Sequence, residues 1–190
     1  MFANRPQSRR SYPPSSRSHA RPGLNDAWRL IWPFTTTTVL GICLILCVLV
    51  IGALETASLA ISTDSVYYGT TSSTGAGFWC EFYVFIAATL ILIINFVLRT
   101  HLWATVALLG TFAAAGFSIV IIGLDAKAVK DANDRFGTLP KKVEVLAAQL
   151  AFACLELVLC GLFIGIYILV HIYVQFRLRR VQNIEAPLKF

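Results

Sequence analysis

The stretch VLAAQLAFACLELVLCGLFIGIYILVHIY, residues 145–173, decides the fold, because it is apolar over more than the length needed to cross a bilayer. About 20 helical residues span the hydrocarbon, where no water can bond the backbone, so such a stretch has to be helical. Three further runs have the same character: residues 38–61, 78–98 and 102–124. The charged residues 126–135 can continue the third helix into water. The sequence therefore predicts an all-α membrane protein with a four-transmembrane-helix up-down bundle.

Little of the 190-residue chain lies outside these runs, so we expect one bundle, residues 35–176, and no separate soluble domain. Residues 1–34, rich in Arg, Ser and Pro, are expected to form a disordered basic tail and an interfacial segment. Trp28 and Trp32 would mark the membrane surface there, since amphipathic rings prefer the headgroup level. Residues 177–190 are expected to form a second basic tail.

Basic residues are unevenly distributed along the chain. Of the 16 Lys and Arg residues, eleven lie in the two tails and in the short link after the second run. The positive-inside rule then places both termini in the cytoplasm, with a basic rim that favours anionic lipids as partners and needs no nucleic acid. We expect the plasma membrane or an endomembrane. A mitochondrial membrane is the alternative, although the N-terminal prolines would break a presequence helix.

Polar side chains inside the apolar runs are the candidate functional residues, since a charge at that depth costs about 2.5–3.5 kcal/mol on insertion scales. Glu156 lies near the middle of the fourth run and shares a helical face with Gln149. Glu55 lies in the outer half of the first run, and Asn95 toward the cytoplasmic end of the second. Two interpretations stay open. The carboxyl groups are protonated and hydrogen-bond across the bundle, or they bind cations or relay protons.

Small residues are the candidate helix-packing positions, because membrane helices associate where their backbones approach closely. These positions would pack inside the bundle, or, for two glycines of the fourth run, form a seam between two chains. The candidates are Gly52 in the first run, Gly110 and Ala114 in the third, and Gly161 and Gly165 in the fourth.

Nothing in the sequence indicates an enzyme. The three histidines form no metal-ligand spacing with cysteine or carboxylate, and there is neither a nucleophile elbow nor a Gly-rich phosphate loop. The five cysteines are expected to be reduced and packed, with Cys80 alone at a membrane boundary where a bridge between chains is conceivable. We expect a non-enzymatic protein with no cofactor and no bound metal.

Three short motifs carry a family resemblance: the pair Phe78-Trp79 opening the second run, the small-residue segment 110–122, and the pair Leu155-Glu156 in the fourth run. With these motifs the chain resembles the membrane-spanning four-domains family, the CD-twenty-like tetraspans, which include sarcospan. The resemblance implies a non-enzymatic tetraspan that oligomerises and associates with receptors or adhesion complexes. For some members of that family, the resemblance also implies an influence on calcium entry.

Two functions of different classes follow from these features. The first is a membrane adaptor or accessory subunit that forms homo-oligomers and associates laterally with a receptor, channel or adhesion complex. The second is an ion channel or transport subunit, with calcium among the candidate ions, that uses Glu55 and Glu156. A MARVEL- or claudin-like structural membrane protein is a lesser alternative.

Overall fold

The computed structural model describes residues 24–60, 76–97, 100–136 and 141–185, which form five α-helices and contain no strand. The helices are α1 (Leu24–Ile31), α2 (Phe34–Ala60), α3 (Ala76–Phe96), α4 (His101–Phe136) and α5 (Lys141–Glu185). Helices α2 to α5 are long and apolar enough to cross a membrane, which confirms the all-α fold with four candidate spans. The expected N-terminal tail before Leu24, the first loop and the last five residues lie outside the described residues.

The four long helices form a closed ring in which α2 and α4 each pack against both α3 and α5. Successive helices run antiparallel. Thr37 at the start of α2 hydrogen-bonds Asn95 at the end of α3, and Glu55 near the end of α2 hydrogen-bonds Gln149 near the start of α5. We call the end of the bundle that carries α1 and Asn95 the α1 end, and the other the Glu55 end.

The helices are longer than the apolar runs that predicted them. Helix α4 continues through residues 126–135, as the sequence indicated, and α5 continues past residue 173 to Glu185. Part of the expected C-terminal tail is therefore helical. Arg, Gln and Glu are good helix formers, and no Gly or Pro interrupts the chain between Gly165 and Pro187. The apolar run shows which part of a helix can lie in the hydrocarbon of the membrane. The helix itself can continue into water as long as its backbone hydrogen bonds continue.

Helix α1 is an element that the hydropathy of the sequence does not indicate. It packs across the ends of α4 and α5, and Pro33 separates it from α2, because the residue before a proline avoids helical geometry. Trp28 and Trp32 are only 1% and 8% exposed. They are buried in the protein, contrary to the expected position among lipid headgroups, because α1 turns both rings onto other aromatic side chains.

Small side chains bring α3 and α4 close together in the middle of the bundle. Ala87 and Ala88 of α3 and Ala107 of α4 are fully buried. A Cβ added at Gly110 would lie 3.3 Å from Leu90. Close backbone approach of this kind is how membrane helices gain packing energy without a hydrophobic driving force.

Candidate functional site: a buried carboxyl cluster

The first part of the site lies near the Glu55 end, where α2, α3 and α5 meet. Gln149 Nε2 donates a hydrogen bond of 3.1 Å to Glu55 Oε2, and both side chains are fully buried. Gly77 of α3 packs against this pair so closely that an added Cβ would lie 2.9 Å from the carboxyl carbon of Glu55. The absent side chain at Gly77 therefore makes the room that the carboxyl–amide pair occupies.

The second part of the site lies deeper in the bundle and contains two further glutamates. Glu156 follows Gln149 by seven residues, which is about 10 Å along α5, and Glu81 follows Gly77 by four residues, about 6 Å along α3. The carboxyl groups of Glu81 and Glu156 are close enough to interact with each other. Ser118 of α4 lies against Glu156, with 3.5 Å between its Oγ and Glu156 Oε2.

We call Glu55, Gln149, Glu81, Glu156 and Ser118 the carboxyl cluster. All four spanning helices contribute to it. No Lys or Arg occurs in α2, in α3, before residue 127 in α4, or between residues 143 and 176 in α5. With no Lys or Arg in these helix segments, three buried carboxylates cannot all stay ionised at acceptable cost, since a buried charge needs a partner. The cluster is chemically suited to hold protons or to attract cations.

A transition-metal centre does not fit the described residues. No three of their His, Cys, Asp and Glu side chains are placed so as to hold a metal ion together. Thiols lie close to the glutamates, and Cys47, Cys80 and Cys160 are all buried and unoxidised. The carboxyl cluster therefore offers carboxyl, amide and hydroxyl groups, with thiols beside it.

The polar residues that the sequence singled out lie in two different places in the structure. Glu55 and Gln149 bond each other, Glu156 lies deeper in the same cluster, and Asn95 lies at the opposite end of the bundle. Glu81 is the member that the sequence analysis missed. A signal for it exists, because the buried positions of α3 recur at steps of four and three residues. That face consists of Gly77, Glu81, Val84, Ala88, Ile91 and Asn95.

Asn95 organises a second polar network at the α1 end. Its Oδ1 accepts hydrogen bonds from Trp32 Nε1 at 2.8 Å and Thr37 Oγ1 at 3.0 Å. Its Nδ2 donates to Thr38 Oγ1 at 3.1 Å. The network ties the junction between α1 and α2 to the end of α3. Its members bond one another, so we interpret it as structural.

Aromatic rings and two histidines cover the same end of the bundle. Trp28 stacks on Trp32 with 5.2 Å between ring centroids and meets His101 edge-on at 4.9 Å. His101 Nε2 and His171 Nδ1 lie 3.3 Å apart, and Tyr167 packs against both Trp28 and His171. We call Trp28, Trp32, His101, Tyr167 and His171 the aromatic cap.

The candidate helix-packing residues divide into two groups. Gly110 and Ala114 lie between helices of this bundle. At Gly52, Gly161 and Gly165, an added Cβ would have no atom of the described residues within 4 Å. These three glycines therefore do not pack inside the bundle, and the seam between chains stays a prediction for the two in α5.

No protein family, characterised protein or solved structure matches this chain.

Proposed function

We propose that this chain is a tetraspan adaptor or accessory subunit that works by lateral association with other membrane proteins, a second copy of itself included. The observation that carries the proposal is the outward face of α5. Small side chains line that face, and they are not used inside the bundle. The family resemblance of the sequence supports the same function.

The outward face of α5 has the spacing of a helix–helix seam. Exposed or half-exposed positions recur at steps of four and three residues over 18 residues, about 27 Å, which nearly matches the thickness of the hydrocarbon. Five of the six positions are small, and small residues let two membrane helices approach closely. We call this set the α5 stripe: Ala147, Ala151, Cys154, Val158, Gly161 and Gly165.

The orientation in the membrane is part of the same proposal. Arg29 and three arginines of α5, at residues 177, 179 and 180, are exposed at the α1 end, whereas Lys127 and Lys130 are exposed toward the Glu55 end. With the basic tails added, the positive-inside rule favours a cytoplasmic α1 end. The tails would then meet anionic lipid or cytoplasmic proteins, while the α5 stripe meets partners in the bilayer.

Leucine substitution on the stripe tests the proposal. We expect Gly161→Leu with Gly165→Leu to reduce the size of the complex extracted from native membranes in mild detergent, because two added side chains would block close approach. The matched control is Gly116→Leu with Gly123→Leu in α4, where an added Cβ is equally unobstructed. An unchanged complex in the α5 variant, or an equal loss in both variants, would count against the stripe.

Cys154 offers a second test, because it is the exposed free cysteine of the stripe, while Cys47, Cys80 and Cys160 are buried. A self-associated stripe brings two copies of Cys154 near each other, and mild oxidation in membranes should then yield a disulfide-linked dimer. Cys154→Ser should abolish that dimer. A dimer that persists in Cys154→Ser would show that copies meet elsewhere.

The carboxyl cluster favours a second candidate function, an ion channel or transport subunit. Intramembrane carboxyl groups commonly mark ion pathways. Flux of cations or protons into liposomes carrying the protein would then fall in Glu55→Gln and Glu156→Gln, while the size of the complex stays constant. Equal flux in the wild type and both variants would exclude this candidate.

A further inference from the structure

We propose that Glu81 and Glu156 form a proton-binding site within the membrane, in which the two carboxyl groups share one exchangeable proton. The inference concerns what the site binds. It holds whether or not the chain associates laterally, and it requires no net transport.

Glu81 is poorly supplied with hydrogen-bond donors among the described residues. Its side chain is 3% exposed, and apart from the facing carboxyl group no donor among the described residues reaches either of its oxygens. An ionised carboxylate only accepts hydrogen bonds, so an ionised Glu81 would be a buried charge with nothing to bond. A protonated Glu81 donates its hydrogen to Glu156 and removes that cost.

Glu156 also receives few hydrogen bonds from its neighbours. Ser118 Oγ lies 3.1 Å from the carbonyl oxygen of Ala114 and 3.5 Å from Glu156 Oε2. A hydroxyl has one hydrogen, and the shorter bond to the helix backbone uses it best. Glu156 Oε1 likewise has no donor among the described residues. Glu156 is therefore poorly supplied with hydrogen-bond donors as well. A proton between the two carboxyl groups gives them a hydrogen bond to each other.

The groups that face the pair are acidic or neutral on every side. Helix α2 presents Cys47, α3 adds Cys80 and α5 adds Cys160, and Glu55 lies near Cys80. Helix α4 presents the hydroxyl of Ser118, and its own buried Asp125 lies seven residues farther toward the Glu55 end. None of these groups carries a positive charge. No described group therefore supplies a positive charge that would stabilise a second negative charge on the pair.

Infrared spectroscopy of the full chain in lipid nanodiscs tests the site, because the carbonyl stretch of a protonated carboxyl is separate from the bands of a carboxylate. With ¹³C-labelled glutamate, we expect a protonated glutamate band at neutral pH that shifts in D₂O. Glu81→Gln with Glu156→Gln should remove the contribution of the pair to that band. Glu144→Gln, which removes an exposed carboxylate from the same helix α5, should leave it unchanged.

Three results would overturn the proposal: no protonated glutamate band in the wild type at neutral pH, a band that does not shift in D₂O, or a band that is undiminished in the double variant. If the double variant does not fold, the single variants decide. Each replaces one member of the pair by an amide and should change the frequency or intensity of the band. A band that is identical to the wild type in both single variants would assign the proton to another glutamate. Lateral association is measured by complex size, so its failure would be seen separately.

Discussion

Gly77→Ala is a sharp test of how the Glu55–Gln149 pair is held. The added Cβ would lie 2.9 Å from Glu55 Cδ, 3.0 Å from Glu55 Oε2 and 3.2 Å from Gln149 Nε2. Carbon atoms in comfortable contact are about 3.5–4.0 Å apart, so the Glu55 carboxyl has to move by roughly 0.5 Å or more. Such a shift stretches a hydrogen bond of 3.1 Å beyond the range in which it contributes.

The magnitude follows from three contributions. The lost hydrogen bond is worth about 1 kcal/mol, and overpacking a tight site costs about 1–3 kcal/mol. Replacing Gly by Ala in a helix returns at most about 1 kcal/mol, and less at the second residue of α3. We therefore expect Gly77→Ala to lower the free energy of unfolding by about 1–3 kcal/mol.

The assay is unfolding by SDS in mixed micelles, followed by circular dichroism. Gly116→Ala is the control, because its Cβ would meet no atom of the described residues within 4 Å. It should be neutral or stabilising by up to about 1 kcal/mol. Combining Gly77→Ala with Gln149→Ala should cost less than the sum of the two, since both remove the same bond. Equal stability of Gly77→Ala and Gly116→Ala would refute the reasoning.

A further prediction concerns the α1 end. Asn95→Leu removes three hydrogen bonds. Each such bond in a membrane is worth about 0.6 kcal/mol on average and at most about 1.7 kcal/mol. The variant should therefore lower the free energy of unfolding by about 1–3 kcal/mol. Thr36→Val, at an exposed position of α2, is the control in the same SDS titration. Equal stability of the two variants would contradict a structural role for the Asn95 network.

The four spanning helices could be predicted because their signal is strong and local. Each has enough apolar residues to cross a bilayer, and only a helix satisfies its backbone there. Helix α1 has eight residues, too few and too polar to be read from hydropathy. Its burial depends on rings of α4 and α5 that lie far along the chain. For the same reason, the inward position of Trp28 could not be distinguished from a position at the membrane surface.

The carboxyl cluster could be predicted only in part. Glu55 and Glu156 stand out because they interrupt apolar runs, but their partners follow from how the helices are arranged around the ring. Glu81 lies near the start of its run, where a carboxylate could equally face water, so depth alone did not identify it. Its buried position depends on the face that it shares with Gly77 and Asn95.

Helix α5 shows why hydropathy determines spans more readily than partners. Its inner face carries Gln149 and Glu156, which bond or face groups on the other helices of the same chain, whereas its outer face carries Cys154, Gly161 and Gly165. Lipid is as apolar as leucine, so burying apolar surface does not favour one neighbour over another. Polar groups therefore select the neighbours within the bundle, because an unbonded carboxyl or amide is costly there. Small residues leave the outer face open to close approach by another helix. The Gly161 and Gly165 variants test this division of α5 into two faces.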